Sequence, residues 1–217
     1  MVYDLSQHGG VFNTFVAELR DERIQQDPMR FRRNLERIGE VLAYELSKKL
    51  PMEDKMVTTP LGQKEMKVIR EQPLIASILR AGLPMHQGVL NYFDRSDSAF
   101  ISAYRKHKNS EDYDIKVEYM ACPGIDKRDL IICDPMLATG SSMVMVYKSL
   151  LMNGTPRSVH VVTAIATQEA IDYTRRHLPD TACIWVGGID TELTAQSYIV
   201  PGLGDAGDLA FGEKLQA

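Results

Sequence analysis

Cysteine is scarce in this sequence, and its three copies, Cys122, Cys133 and Cys183, lie far apart. They form no C-x-x-C pair, and two of them stand inside apolar runs. This pattern predicts buried, reduced thiols rather than a disulfide or a metal site. Long hydrophobic runs are missing too, and the runs present are too short to cross a bilayer.

The N-terminus, MVYDLSQHGG, lacks a basic segment followed by an apolar core. We therefore expect no signal peptide and a cytoplasmic protein. An excess of positive charge is also missing, because 25 lysines and arginines face 29 acids and leave a net charge of −4. This balance argues against nucleic acid or an anionic membrane as a partner.

The composition is that of a globular protein with a buried core, with 44% apolar residues among 217. Helical spacing extends from residue 11 to about residue 50, and Asp27 and Pro28 predict the start of a second helix. The charge run between Arg20 and Arg37 predicts a solvated helix face. An extended arm with a turn is expected at residues 56–67.

Strands and helices alternate from residue 74 onwards, and Thr167 is predicted to cap one of these helices. Apolar strands are predicted at 74–79 and 130–133 and in the segments SAFISAYR, SVHVVTAIA and TACIWVGG. Such alternation predicts an α/β fold with a mostly parallel sheet flanked by helices. Ligands bind beyond the carboxyl ends of the strands in sheets of this kind, so the residues after each strand are the candidates for a site.

The loop that follows the strand at 130–133, within LIICDPMLATGSSM, predicts an anion site. The loop follows a buried strand and opens a helix, so its free amides and the helix dipole favour a phosphate. Thr139, Ser141 and Ser142 add hydroxyl donors. The absence of a lysine after Gly140 argues against a nucleoside triphosphatase. Asp134 suits the two hydroxyls of a ribose, and the alternative is that it only caps a turn.

The C-terminal segment PGLGDAGD formally matches the dinucleotide pattern G-x-G-x-x-G. That pattern must open the first helix of a βαβ unit, for which no room follows. Two interpretations stay open: a tail loop in which glycines permit turns, or a loop that wraps a flat ligand with its backbone groups.

Several motifs resemble one known family. DPMLATGSS resembles the DPMLATGGS signature of uracil phosphoribosyltransferases, and ILRAGL, AYR, VEY, YIVPGLGDAGD and RIGEVLAYE match that family in order and spacing. The resemblance covers nearly the whole chain. It implies the type I phosphoribosyltransferase fold, with N-terminal helices and a hood formed partly by the C-terminal loop. We expect a single domain over 1–217, divided into N-terminal helices and arm (1–70), α/β core (71–190) and uracil-binding segment (191–217).

The activity implied by the resemblance is pyrimidine salvage: uracil and 5-phosphoribosyl 1-diphosphate (PRPP) give UMP and diphosphate. Mg²⁺ would be carried by PRPP, without a metal site of the protein's own. The resemblance also implies a homodimer or homotetramer, and it leaves GTP open as an effector because GTP activates some relatives.

Site residues follow from the same resemblance. Asp134, Arg105 and Asp205 are the catalytic candidates, and Ile199, Gly204, Asp205 and Ala206 would bind uracil. PRPP would be bound by Arg80, Arg105, Asp134, Pro135, Met136, Leu137, Ala138, Thr139, Gly140, Ser141, Ser142 and Asp205. The residues alone leave other interpretations open, because Arg80 could be an ion-pair partner at a strand end and Arg105 could belong to a solvated charge cluster.

Three departures from the family pattern matter. Ser141 replaces a glycine, which would strain the loop if that position needed a positive φ. The segment 106–116, KHKNSEDYDIK, is longer than its family counterpart and is predicted to be a lid over the diphosphate. GLPMHQG replaces GLGMVDG, which puts Pro84, His86 and Gln87 near the site. His86 itself is expected on a helix surface. Such changes keep two alternatives open: a non-catalytic nucleotide-sensing or RNA-regulatory homologue, and a transferase for another base.

Overall fold

The computed structural model of the chain describes residues 1–109 and 112–214, with the backbone alone described in 104–109 and 112–116. The helices are α1 (Val11–Arg20), α2 (Pro28–Ser47), α3 (Leu83–Tyr92), α4 (Ser141–Leu150), α5 (Gln168–His177) and α6 (Ala206–Phe211). The strands are β1 (Val2–Asp4), β2 (Met52–Thr59), β3 (Gly62–Ile69), β4 (Leu74–Leu79), β5 (Asp97–Asn109), β6 (Asp112–Ala121), β7 (Asp129–Cys133), β8 (Met136–Leu137), β9 (Ser158–Thr163), β10 (Ile165–Thr167), β11 (Cys183–Val186), β12 (Ile189–Asp190), β13 (Glu192–Leu193) and β14 (Ile199–Val200).

The central sheet has the strand order β1-β11-β9-β7-β4-β5-β6. Its pairs are parallel except for β5 with β6, which is antiparallel. This arrangement confirms the predicted α/β fold with a mostly parallel sheet. The sequence analysis missed both edge strands: β1 has three residues, too few to show a period, and β6 falls partly in the segment predicted to be a lid.

Helices cover both faces of the sheet, as alternating strand residues require. Ile75, Ile131 and Val162 share a buried core with α1, α2, α3 and the C-terminal segment. Leu130 and Val161 point to the opposite face, where α4 and α5 pack. Apolar side chains on both faces explain why the central strands are near-continuous hydrophobic runs.

Helix starts follow the predicted caps. The Asp27 carboxylate accepts hydrogen bonds from the amides of Met29 (2.9 Å) and Arg30 (3.1 Å), and Pro28 takes the first position of α2. Thr167 caps α5 in the same way, accepting a bond from the Ala170 amide at 3.0 Å. Caps of this kind satisfy amides that have no partner within the helix, and each stabilises the fold by about 1 kcal/mol.

Two smaller sheets stand beside the central one. Strands β12, β10 and β8 pair in parallel in that order, and this three-stranded unit lies just beyond the carboxyl ends of β11, β9 and β7. Strands β2 and β3 form an antiparallel hairpin with both faces largely exposed, which matches the extended arm and turn predicted at 56–67. Among the described residues, no helix is long and apolar enough to cross a membrane.

Two predictions about polar residues are wrong. His86 lies on no helix surface; only 5% of it is exposed, and its Nε2 is 3.0 Å from the Ser98 hydroxyl. Burial lowers its pKa, so the neutral ring is favoured at this position. The charge run between Arg20 and Arg37 is not simply solvated, because Arg20 pairs with the buried Asp190 and Arg32 donates to the Ala210 carbonyl.

Candidate functional site

The predicted anion loop connects the end of β7 to the start of α4. The Asp134 amide donates to the Val162 carbonyl at 3.1 Å, so the loop leaves the sheet beside β9. The Thr139 hydroxyl accepts a bond from the Ser141 amide at 3.3 Å and lies 3.2 Å from the Ser141 hydroxyl. Hydroxyl groups and the N-terminus of α4 therefore gather at one place, where the helix dipole favours an anion. We call residues 134–142 the phosphate turn.

Gly140 determines how closely the phosphate turn packs on α5. Its φ of +78° lies in the left-handed region. A Cβ atom at this position would lie 2.7 Å from the Thr174 hydroxyl and 2.9 Å from the Ala170 carbonyl oxygen. Both constraints require glycine, so the turn is fixed by its conformation and by its neighbours.

Asp134 is a partly buried carboxyl group at the first position of the phosphate turn. Burial raises its pKa to about 7, and a hydrogen bond from the Met136 amide, at 3.5 Å, lowers it only in part. Desolvation favours the neutral form, whereas hydrogen-bond donors from a ligand would favour the charged form. The carboxyl group is therefore balanced between protonation states near neutral pH.

Backbone hydrogen bonds tie the phosphate turn to the three-stranded unit. The Pro135 carbonyl accepts from the amides of Ala164 and Ile165, both at 3.1 Å. The Thr167 hydroxyl, which also caps α5, donates to the Ala138 carbonyl at 2.8 Å. A cleft of about 40 Å³ opens in the turn and is lined by Asp134, Met136, Leu137, Ala138, Thr139, Gly140, Ser142 and Met143.

The second predicted site element is the segment 198–208, which we call the C-terminal loop. Ile199 lies in β14, pairs with Leu193 of β13 and is buried. Gly202 has a φ of +58°, and a Cβ atom there would collide with the Ile199 carbonyl. Ala206 is buried at the first position of α6, and Gly204 is exposed between them. The backbone of the loop is thus folded back on itself.

Asp205 caps α6. Its Oδ1 accepts from the amides of Gly207 (2.9 Å) and Asp208 (3.0 Å), and its Oδ2 is 2.8 Å from the Lys214 ammonium. Burial alone would raise its pKa, but the hydrogen bonds from Lys214 and from the two amides lower it. This carboxylate therefore stays charged at neutral pH, whereas Asp134 is balanced between its two protonation states.

Arg80 follows β4 and reaches the C-terminal segment. Its guanidinium lies 2.8 Å from the Asp208 carboxylate and donates to the Gly212 carbonyl at 3.1 Å. This is the ion pair at a strand end that the sequence analysis left open. About 40% of the Arg80 side chain is exposed, so the pair is weak and Arg80 can readily take another partner.

A cavity of about 640 Å³, larger than the cleft in the phosphate turn, lies elsewhere. It is formed by Met1, α5 and the residues leading into β11, and it contains none of the predicted site residues. Its lining mixes both signs of charge, including Asp172, Arg175 and Asp180. Size alone therefore does not locate the site in this molecule.

A family model described as uracil phosphoribosyltransferase matches residues 7–213 of the chain. The chain belongs to the uracil phosphoribosyltransferase family. A protein of that name from Porphyromonas gingivalis is 54% identical over 214 residues, 99% of each chain. One from Pyrococcus furiosus is 35% identical over 204 residues, which are 93% of this chain and 86% of the relative. A solved structure from Aquifex aeolicus covers 100% of both chains with a TM-score of 0.86 and 29% identity.

Ser141, which replaces a glycine of the uracil phosphoribosyltransferase signature, causes no backbone strain. It is the first residue of α4 and has no positive φ; the positive φ of the turn belongs to Gly140. The alternative that serine strains the loop is therefore excluded. Its hydroxyl lies beside that of Thr139 and adds a donor at the helix N-terminus.

Two other features of the family pattern fall outside the described side chains. Arg105 lies in β5 with its backbone opposite Ile115 of β6, and nothing is described of its side chain. The segment 106–116, predicted to be a lid, contains the end of β5 and the start of β6, and residues 110 and 111 lie outside the described residues. Its role as a lid stays a prediction.

The sequence analysis missed residues that hold the C-terminal loop and the helix α6 after it. Arg20, at the end of α1, pairs with Asp190 and also donates to the Gly202 carbonyl at 3.1 Å. Arg32 of α2 donates to the Ala210 carbonyl at 2.6 Å. A weaker signal for Asp190 was available, since it lies four residues beyond the end of the apolar strand β11, whereas Asp134 directly follows β7. No comparable signal marked the arginines, whose helical spacing indicated an exposed face.

Proposed function

We infer that the protein transfers the 5-phosphoribosyl group of PRPP to uracil, giving UMP and diphosphate. In this reaction the bond from ribose C1 to the diphosphate oxygen breaks, and its electron pair leaves with the diphosphate. A bond forms between C1 and N1 of uracil, and the N1 proton is lost. The observation that carries the proposal is an acid followed by a hydroxyl-rich helix N-terminus, in a member of the uracil phosphoribosyltransferase family.

The phosphate turn is proposed to bind the ribose 5-phosphate. Amides at the N-terminus of α4 and the hydroxyls of Thr139, Ser141 and Ser142 would donate to the phosphate oxygens. Asp134, which directly follows β7, the central strand of the seven-stranded sheet, would accept hydrogen bonds from the ribose hydroxyls. Such donors would favour its charged form, which could then offset positive charge that develops on the sugar.

Arg80 and Arg105 are proposed to stabilise the leaving diphosphate. Charge that appears on the leaving group is stabilised by cations already in place, an effect usually among the largest in catalysis. Arg80 can turn from its exposed pair with Asp208 at small cost, because such pairs contribute about 1 kcal/mol or less.

Mg²⁺ is proposed to arrive with PRPP. In the described part of the chain, no group of three or more His, Cys, Asp or Glu side chains could hold a metal ion. The ion usually keeps several waters and binds largely through substrate phosphates, so it needs no dedicated metal site of the protein's own. When bound, it would neutralise charge on the diphosphate.

The C-terminal loop is proposed to recognise uracil. Backbone groups of Ile199, Gly204 and Ala206 would pair with the edge of the base, because fixed donors and acceptors reject bases that present another pattern. Asp205 would keep its cap and face the ribosyl substrate with a charged carboxylate. The proposal includes a cytoplasmic homodimer or homotetramer, with GTP as an effector to be tested.

The test is product formation from PRPP and Mg²⁺ with uracil, cytosine, hypoxanthine and orotate in parallel, each with and without GTP. We expect UMP from uracil and no nucleotide from the other bases. Product from another base would contradict the assignment of the C-terminal loop. Failure with every base by folded protein that still binds PRPP would favour the non-catalytic homologue, which the intact turn and loop argue against.

A further inference from the structure

One buried ion pair links the N-terminal helices to the C-terminal loop. The Arg20 guanidinium binds both oxygens of the Asp190 carboxylate, at 2.7 and 2.9 Å. Only 7% of the Asp190 side chain and 25% of the Arg20 side chain are exposed. Two parallel hydrogen bonds fix the planes of both groups, so the pair has one geometry rather than many.

The pair holds both backbone polar groups of Gly202. The Gly202 amide donates to Asp190 Oδ2 at 3.0 Å, and Arg20 donates to the Gly202 carbonyl at 3.1 Å. Gly202 stands between Ile199 and Gly204, two of the positions proposed to contact the base. A shift of Gly202 would therefore move the backbone groups on each side of it.

Asp190 also belongs to the unit that supports the phosphate turn. Its backbone pairs with Thr167 in the parallel ladder of β12 and β10. The next ladder of that unit, β10 with β8, pairs Ala166 with Leu137 of the phosphate turn. The main chain of Asp190 thus pairs with the strand next to the phosphate turn, and its side chain binds the C-terminal loop.

We propose that the Arg20–Asp190 pair is a positioning device that sets the uracil-reading loop at a fixed place relative to the phosphate turn. The inference rests on the proposed function and names residues that act through Gly202 without touching substrate. Buried ion pairs contribute little to stability compared with apolar packing, so defining a single conformation is the better-supported role for this one. Orientation of the two reactants is what such a device supplies.

The direct test is Arg20→Lys, which keeps the charge but cannot bind both carboxylate oxygens and the Gly202 carbonyl together. We expect the KM for uracil to rise about tenfold, with the KM for PRPP changed less than about twofold. Discrimination against cytosine should weaken in the same variant. Asp190→Asn, which loses the paired charge, should shift uracil kinetics in the same direction.

Arg30→Lys is the matched control. Arg30 binds both oxygens of Glu18, at 2.7 and 2.8 Å, and joins the same helix α1 to α2 without contacting the C-terminal loop. It should lower stability without changing either KM. If Arg20→Lys leaves the KM for uracil unchanged, or raises both KM values equally, the positioning role is wrong and the pair is only structural.

A measurement on the unaltered protein covers the case in which these variants fail to fold. The Gly202 amide, bonded to a buried carboxylate, should exchange with solvent at least about a hundredfold more slowly than in an unstructured peptide, without any ligand. Exchange near the peptide rate would overturn the inference. Lack of UMP formation by the unaltered protein would instead refute the proposed function, while the exchange result would still decide whether the loop is held in place.

Discussion

The phosphate turn and the C-terminal loop both contain glycines at positive φ and an acid, yet they are held in different ways. The phosphate turn is fixed by the strand before it, the helix after it and the ladder beside it. The C-terminal loop and the helix α6 after it are fixed by Arg20 of α1, Arg32 of α2 and Arg80 after β4, all more than a hundred residues away in sequence. Segments within about forty residues hold one half of the candidate site, and residues more than a hundred positions away hold the other.

The acids of the two segments, Asp134 and Asp205, also differ in how firmly they are held. Asp134 lies in a desolvated position that raises its pKa to about 7, whereas hydrogen bonds keep the pKa of Asp205 low. Asp134 has one long hydrogen bond, from the Met136 amide, and is free to bind a ligand, whereas Asp205 has three partners and already holds the chain in place. The comparison favours Asp134 over Asp205 as the residue on which turnover depends most.

Asp134→Asn should have the largest effect. We expect kcat to fall by about 10²–10³-fold, because the amide cannot supply the charge proposed to stabilise the sugar. Steady-state rates at saturating PRPP and uracil measure this. Asp205→Asn should cost less turnover and more stability, and the comparison of the two acids fails if the order is reversed.

Gly140→Ala tests whether local packing fixes the phosphate turn. The left-handed φ and the contacts with Thr174 and Ala170 together should lower the free energy of unfolding by about 2–4 kcal/mol. Gly212→Ala is the matched control, since Gly212 has a similar φ of +85° and open space around it. It should cost only about 1 kcal/mol. Equal losses in urea denaturation would show that the neighbours of Gly140 do not matter.

The raised pKa of Asp134 predicts a dependence of stability on pH. A carboxyl group whose folded pKa lies above its unfolded value stabilises the protein most at low pH, and this contribution is lost as pH rises from about 4 to 7. The unaltered protein should therefore lose about 2–3 kcal/mol relative to Asp134→Asn between pH 5 and pH 8, because the interval from pH 5 to the folded pKa of about 7 contributes about 1.4 kcal/mol per pH unit. Denaturation of both proteins at the two pH values measures the difference. An equal change in both would mean that Asp134 has an ordinary pKa.

Arg80→Gln and Asp208→Asn should have the smallest effects on stability, about 1 kcal/mol or less each, because their pair is exposed. Their kinetics should differ. Removing Arg80 should raise the KM for PRPP about tenfold, whereas removing Asp208 frees the arginine and should leave that KM unchanged or lower. If the KM for PRPP rises equally in both variants, the pair stabilises the loop and does not act at the diphosphate.

The sequence predicts what is encoded locally. The caps Asp27 and Thr167, the parallel strands and the phosphate turn each depend on residues within a few positions of one another. The Arg20–Asp190 pair joins residues 170 positions apart, so no periodicity or spacing could indicate it. His86 was misjudged for a related reason, since its burial depends on Ser98 and Phe100 of a neighbouring strand.

The hairpin of β2 and β3 has a consequence for how the molecule opens. Its residues pair only with each other over most of its length, and almost all of them are exposed. A two-stranded ribbon without a buried face has little apolar burial to hold it together. Its amides should therefore exchange through local fraying at low free energy, while those of Ile131 in the middle of the sheet wait for global unfolding. The protein should thus have at least two levels of stability within one chain, and the ribbon should open, and be cut by a protease, before the central sheet.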